Sequence, residues 1–227
     1  MIGKVELASL IDHTLLKPYS SEDDIKRICQ EAIEYGFWSV CVNPNYVSLA
    51  SHYVKNSSVK VCSVLDFPFG ANTLEVKIHE AKKSIQDGAN EIDMVINLGA
   101  LRSGKYEIVK NEIEKVVNQA KNQKNSIIKV IIETGLLSEK EKILVCKIVK
   151  ESGADFVKTS TGFNASGATV TDVKLLRKIV GPNFGVKASG GIRTYSDTLK
   201  LIKAGANRIG TSSGVKILNE IIQHSIE

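Results

Sequence analysis

Apolar residues along this chain fall into two alternating patterns. Short, largely β-branched runs with weak polar alternation occupy 7–16, 37–43, 59–67, 91–97, 127–135, 156–162, 185–192 and 208–213. Such runs predict strands buried on both faces, as in a parallel sheet. Each is followed by a helix-patterned segment; in the first of these, after Ser21, Ile25, Ile28, Cys29, Ala32 and Ile33 share one face. Ser21 is placed to cap that helix, Ser138 and Glu141 have capping-box spacing, and Gly36 and Gly88 supply stops. Segments 44–55, 73–88, 106–120, 137–153, 169–180, 194–205 and the stretch from 214 complete the helical set. Eight strand–helix units without a linker predict one domain over 1–227, an α/β (β/α)8 TIM barrel. A flavodoxin-like open sheet is the alternative, but it normally uses fewer strands.

Composition narrows the class. Hydrophobic residues make up 43% of the chain and charged residues 24%, enough for a sizeable core. The net charge of +5 comes from lysines scattered among glutamates on predicted helices. That is the pattern of solvated faces, and no nucleic-acid surface is expected. No apolar run is long enough to cross a membrane, and MIGKVELASL lacks the architecture of a signal peptide. A cytoplasmic protein is expected. Four cysteines without a CxxC pair and four histidines without HxH or HxxxH spacing predict buried free thiols, with neither a disulfide framework nor a structural metal.

Against this background the strand lysines stand out. Lys129, Lys158 and Lys187 each take the third position of a strand and are 29 residues apart in both steps; Asp93 takes the same place in EIDMVI, and Cys41 lies mid-strand. Equivalent strand positions predict convergence near the C-terminal mouth of a barrel. Lysines snorkelling from strand edges are the competing account. A free lysine, with a pKa of about 10.4, offers little neutral amine near pH 7. A second ammonium roughly 6 Å away, at an effective dielectric near 20, disfavours the charged form by about two pKa units. A lysine pair can therefore create a Schiff-base nucleophile. A nearby carboxylate opposes that shift, so Asp93 must be offset by other cations or serve in proton transfer. Gly162, Gly190-Gly191 and Gly210 to Gly214 end the last three strand segments, where backbone N–H groups and a helix start can receive a phosphate.

The segments LIDHTLL, EIDMVINLGAL, KVIIETGLL, FVKTSTGF, GVKASGGIR and RIGTSSG span nearly the whole chain, and in this order they resemble the deoxyribose-phosphate aldolase family, class I aldolases on a TIM barrel. The resemblance implies reversible, metal-independent cleavage of 2-deoxy-D-ribose 5-phosphate, with no cofactor and a homo-oligomeric (dimeric or tetrameric) assembly. It implies Lys158 as the Schiff-base lysine, Lys187 as the second lysine that keeps it uncharged, and Asp93 as the acid/base working with water. Asp12, Thr14, Cys41, Lys129 and Thr161 match residues lining the substrate pocket, and Gly162, Gly190, Gly191, Ser212 and Ser213 match those holding phosphate. Two positions depart from some members: the chain ends HSIE without a terminal tyrosine, and residue 163 is Phe rather than Lys. The first leaves proton transfer to Asp93 and water; the second leaves phosphate more dependent on backbone donors. Glu133 is expected to organise the lysines through a salt bridge, His13 to be structural, and Phe37 and Trp38 to be packing residues. A phosphosugar isomerase or synthase, or a non-catalytic phosphate-binding barrel, would share the glycine and serine loops without needing the lysine pair.

Overall fold

In a computed structural model describing residues 2–164 and 166–224, eight parallel strands pair in chain order and the last closes onto the first. They are β1 Ile11–Leu15, β2 Ser39–Val42, β3 Lys60–Leu65, β4 Glu91–Val95, β5 Ile127–Ile131, β6 Phe156–Lys158, β7 Gly185–Ser189 and β8 Arg208–Thr211. The helices are α1 Lys4–Ala8, α2 Glu22–Tyr35, α3 Val47–Val54, α4 Leu74–Gln86, α5 Leu98–Arg102, α6 Tyr106–Lys124, α7 Glu139–Glu151, α8 Val170–Val180, α9 Tyr195–Lys203 and α10 Gly214–His224. This is the predicted (β/α)8 barrel. Ser225, Ile226 and Glu227 of the HSIE ending lie outside the described residues.

Local signals set the helix ends. Ser21 and Ser138 each accept a backbone N–H while Asp24 and Glu141 reach back, forming two capping boxes. Gly36 closes α2 in the left-handed conformation. Ile25, Ile28, Cys29 and Ala32 are buried as predicted, but Ile33 is turned outward and 45% exposed. The core lies between the outer faces of the strands and the helices, and Cys29 and Cys146 are buried in it as free thiols, each pushed up to about 12 by burial.

The predicted strands are too long, at the N-terminal end of β1 and at the mouth after β6. Leu7 and Ala8 end α1 rather than starting β1, and Thr159 to Gly162 leave the sheet after β6. Thr159 and Ser160 are nevertheless fully buried. Their burial reflects loops packed over the barrel end, so an apolar run reports enclosure rather than strand pairing.

Candidate active site

Side chains alternate between the barrel interior and the helix layer. The interior positions converge on Asp93 from β4. Its Oδ1 accepts from Lys129 of β5 at 2.8 Å, and its Oδ2 accepts from Lys158 of β6 and Lys187 of β7, each at 2.7 Å. Lys187 also donates to Asp12 of β1. Lys129 meets Glu91 at 2.6 Å and Asp12 at 3.9 Å. Arg208 of β8 joins Asp12 at 2.9 Å to Glu91 at 3.1 Å. Asp12, Asp93, Lys129 and Lys187 have no solvent exposure. The competing picture of lysines reaching to solvent is excluded for all three.

Burial by itself would protonate these carboxyls and deprotonate these amines. Mutual attraction outweighs it. Asp12 is held well below the usual carboxylate range by Lys187, Lys129 and Arg208, and Asp93 by its three lysines. In return Asp93 and its neighbours keep Lys129 well above the usual range, and Asp12 and Asp93 do the same for Lys187. The two-lysine picture is therefore incomplete, because a carboxylate oxygen stands between Lys158 and Lys187.

The equal 29-residue spacing also does not mean one layer. Lys158 is level with Lys187, but Lys129 is level with Phe156, one inward position deeper. This follows from the barrel's stagger, which offsets equivalent positions from strand to strand.

A cavity of about 240 Å³ opens above Lys158, its wall including Thr14, Thr161, Gly162, Gly190, Gly191 and Ser212. Asp12, Cys41 and Lys129, expected on that wall, are fully buried beneath it. Ser213 instead faces a neighbouring cavity, and its backbone N–H is already donated to Thr211 Oγ1. Lys17, Ser189 and Arg193 join the wall without having been singled out; Arg193 was visible as the end of GGIR. Gly190, at a φ of +88°, lets three loop backbones cross: a Cβ there would lie 2.9 Å from the Gly167 Cα and 3.2 Å from the Gly162 Cα.

Other expectations need correction. Glu133 does not organise the lysines. It accepts from the Thr161 hydroxyl at 2.5 Å, the Thr161 N–H at 3.3 Å and Asn164 Nδ2 at 3.0 Å, bracing the loop after β6. Trp38 does more than pack, since its indole N–H donates to Glu91 at 2.7 Å and its ring lies 4.3 Å from the Arg208 guanidinium. Glu91 and Arg208 themselves were missed; period-two reading from Asp93 would have found Glu91 on the same face. His13 is structural as expected, its Nε2 2.6 Å from Glu31 outside the barrel. The cavity of about 640 Å³ there, between α2 and α10, is larger, but its charges are paired among themselves (Arg27 with Glu31, Lys216 with Glu220). The smaller one is the one that a buried lysine, Lys158, reaches.

Cys41, Cys62 and Asp93 place donor atoms within 4.8 Å of one another. Three ammonium groups already surround that carboxylate, and they would repel a metal cation. The Cys62 thiol donates to Asp93 at 3.2 Å, and burial raises it well above its ordinary range.

The model of the DeoC/LacD family of aldolases matches residues 7–224. The chain belongs to that family. It is 58% identical over 216 residues to deoxyribose-phosphate aldolase of Caldanaerobacter subterraneus subsp. tengcongensis, covering 95% of this chain and 94% of that one. The enzyme of the same name from Thermococcus gammatolerans is 59% identical over 220 residues, covering 96% and 97%. Among solved structures, the tetrameric deoxyribose phosphate aldolase from Aeropyrum pernix superposes with a TM-score of 0.92 at 39% identity, covering 98% of this chain and 93% of that one. No helix among the described residues is long and apolar enough to cross a membrane.

Proposed function

We propose that the chain, as one aldolase domain over 1–227, reversibly cleaves 2-deoxy-D-ribose 5-phosphate to glyceraldehyde 3-phosphate and acetaldehyde through an imine on Lys158. The observation that carries this reading is the unequal pairing of the buried cations. Lys129 faces three carboxylates, while Lys187 and Arg208 face two each; Lys158 faces Asp93 alone and is the one that reaches the cavity. Its proton is the one whose loss disrupts the least attraction.

Neutral Lys158 attacks the substrate aldehyde carbon, C1, and loss of water gives a protonated imine. Asp93, already in contact with Lys158, takes the C3 hydroxyl proton through an intervening water. The C2–C3 bond breaks with its electrons passing into the iminium, and glyceraldehyde 3-phosphate departs. The enamine is protonated at C2, and hydrolysis returns acetaldehyde and the free amine. Gly162, Gly190, Gly191 and Ser212 present backbone donors to the phosphate, with Lys17 and Arg193 supplying positive charge.

The names carried by the 58–59% identical relatives support this substrate. The tetrameric Aeropyrum relative supports a homo-oligomer, which sizing in solution tests. Four buried free thiols fit a cytoplasmic enzyme. The deciding experiment is incubation with deoxyribose 5-phosphate and borohydride followed by intact mass and peptide mapping. A reduced adduct on Lys158 is expected; turnover with no adduct there would overturn the imine mechanism.

A further inference from the structure

We infer that Arg208 and Glu91, on the closed floor of the barrel, are positioning residues that set the net charge around Lys158 and thereby the pH at which its amine becomes available. This rests on the imine chemistry proposed above and extends it to two residues beneath the cavity wall.

Every other strand turns a charged or titratable group into the buried barrel interior that also holds Lys158. These are Asp12 from β1, Cys41 from β2, Cys62 from β3, Glu91 and Asp93 from β4, Lys129 from β5, Lys187 from β7 and Arg208 from β8. Lys17 and Arg193 approach from the cavity wall. Counting the thiols as neutral, although the hydrogen bond from Cys62 and the charge of Lys187 pull Cys41 below its ordinary range, the contiguous network among the described residues holds four cations (Lys129, Lys158, Lys187, Arg208) and three carboxylates (Asp12, Glu91, Asp93). One positive charge is in excess, and a buried excess charge is costly.

Which group releases the proton is decided by its partners. Arg208 cannot, because a guanidinium stays charged in proteins. It is also fixed in place, 4.3 Å from the Trp38 ring and 5.3 Å from that of Phe156. Glu91 completes the floor, accepting from Trp38 at 2.7 Å while bridging Arg208 and Lys129. It also borders a cavity of about 190 Å³ shared with Lys60 and Lys124 at the end opposite the substrate cavity. Lys129 and Lys187 are each held by two or more carboxylates, so the excess proton is shed from Lys158. Arg208 acts as a permanent charge that forces this outcome, and Glu91 prevents it from overshooting.

The test is borohydride trapping with deoxyribose 5-phosphate across a pH series, read by intact mass, for the native chain, R208M, R208K, E91Q and the R208M/E91Q double variant. Removing the Arg208 charge balances the network with Lys158 still protonated, so the midpoint for trapping moves up by about one pH unit. Removing the Glu91 charge moves it down by a similar amount. The double variant restores the native excess and returns the midpoint, and R208K stays close to native. A purely structural role would lower yield without moving midpoints in opposite directions. Unshifted or same-direction midpoints in folded variants would overturn the inference. Should R208M fail to fold, the downward shift in E91Q decides. Absence of trapping in the native chain at every pH is a separate failure, that of the imine reading itself.

Discussion

Lys158 and Lys187 share one oxygen, each ammonium lying 2.7 Å from Asp93 Oδ2. The two nitrogens are therefore no more than twice that distance apart. Their mutual repulsion is real, but it acts across a carboxylate that attracts both. Lys187 matters less as an isolated neighbouring charge than as one member of a network in positive excess. Replacing Lys187 by Leu leaves three cations against three carboxylates, and Lys158 then keeps its proton. Imine trapping near pH 7 should fall at least about tenfold and recover toward pH 10, since one charge at this range is worth one to two pH units. A loss of equal size at every pH would show that Lys187 contributes packing instead.

Gly210 is a second control on the same lysine. A Cβ built there would meet Lys187 Cε at 2.9 Å and Ser189 Cβ at 3.0 Å. The lysine stem passes directly over the glycine and is pinned at its tip by Asp12 and Asp93. In Gly210→Ala the ammonium has to shift by a few tenths of an ångström or lose a partner. About a tenfold lower kcat with an unchanged circular dichroism spectrum is expected. Native kcat in this variant would mean that the stem relaxes without disturbing the site.

The barrel was legible because each strand–helix unit repeats one pattern, and a parallel sheet buried on both faces leaves β-branched runs that are hard to mistake. Lys158, Lys187 and Asp93 were legible because charge is rare in such runs. The rest was hidden for identifiable reasons. Stagger between strands separates Lys129 from Lys158 despite their regular spacing. Glu91 and Arg208 sit at strand beginnings, where a charged residue reads as solvated, yet they are 1% and 5% exposed. Glu133 follows β5 at a φ of +54°, and that turn sends its carboxylate to Thr161 and Asn164 rather than into the barrel. Spacing alone does not encode such a turn.

The depressed carboxyls fix an acid limit. Asp93 is held well below its ordinary value in the folded protein, whereas unfolded it titrates near the reference value of about 3.9. Its contribution to stability is thus fully present above about pH 4 and is lost as pH falls through the folded value. The stability gap between the native chain and Asp93→Asn, measured by urea unfolding, should be constant from about pH 5 to 8 and narrow below about pH 4. Lys129 and Lys187, raised in the fold, act with the opposite sign. Their contribution is complete below about pH 10.4 and erodes only above it. A gap that narrowed already between pH 5 and 7 would contradict the pairing described here.

Phe163 provides a test at the substrate's far end. It is 53% exposed, lines the cavity with Lys17 and Arg193, and packs edge-on against Phe67 with ring centroids 5.2 Å apart. At this position it supplies apolar wall where a cation would add to phosphate attraction. Phe163→Lys places a third positive charge on that wall, at the cost of one exposed aromatic contact of about 1 kcal/mol. The KM for deoxyribose 5-phosphate should fall about three- to tenfold at low salt, with kcat little changed, because the phosphate is remote from the breaking bond. The gain should shrink as ionic strength rises past 0.15 M, where screening acts within about 8 Å. Unphosphorylated 2-deoxyribose should gain nothing, or lose slightly, since it carries no charge for the new ammonium to meet. An equal gain for both sugars would place residue 163 away from the phosphate and assign it to general pocket shape.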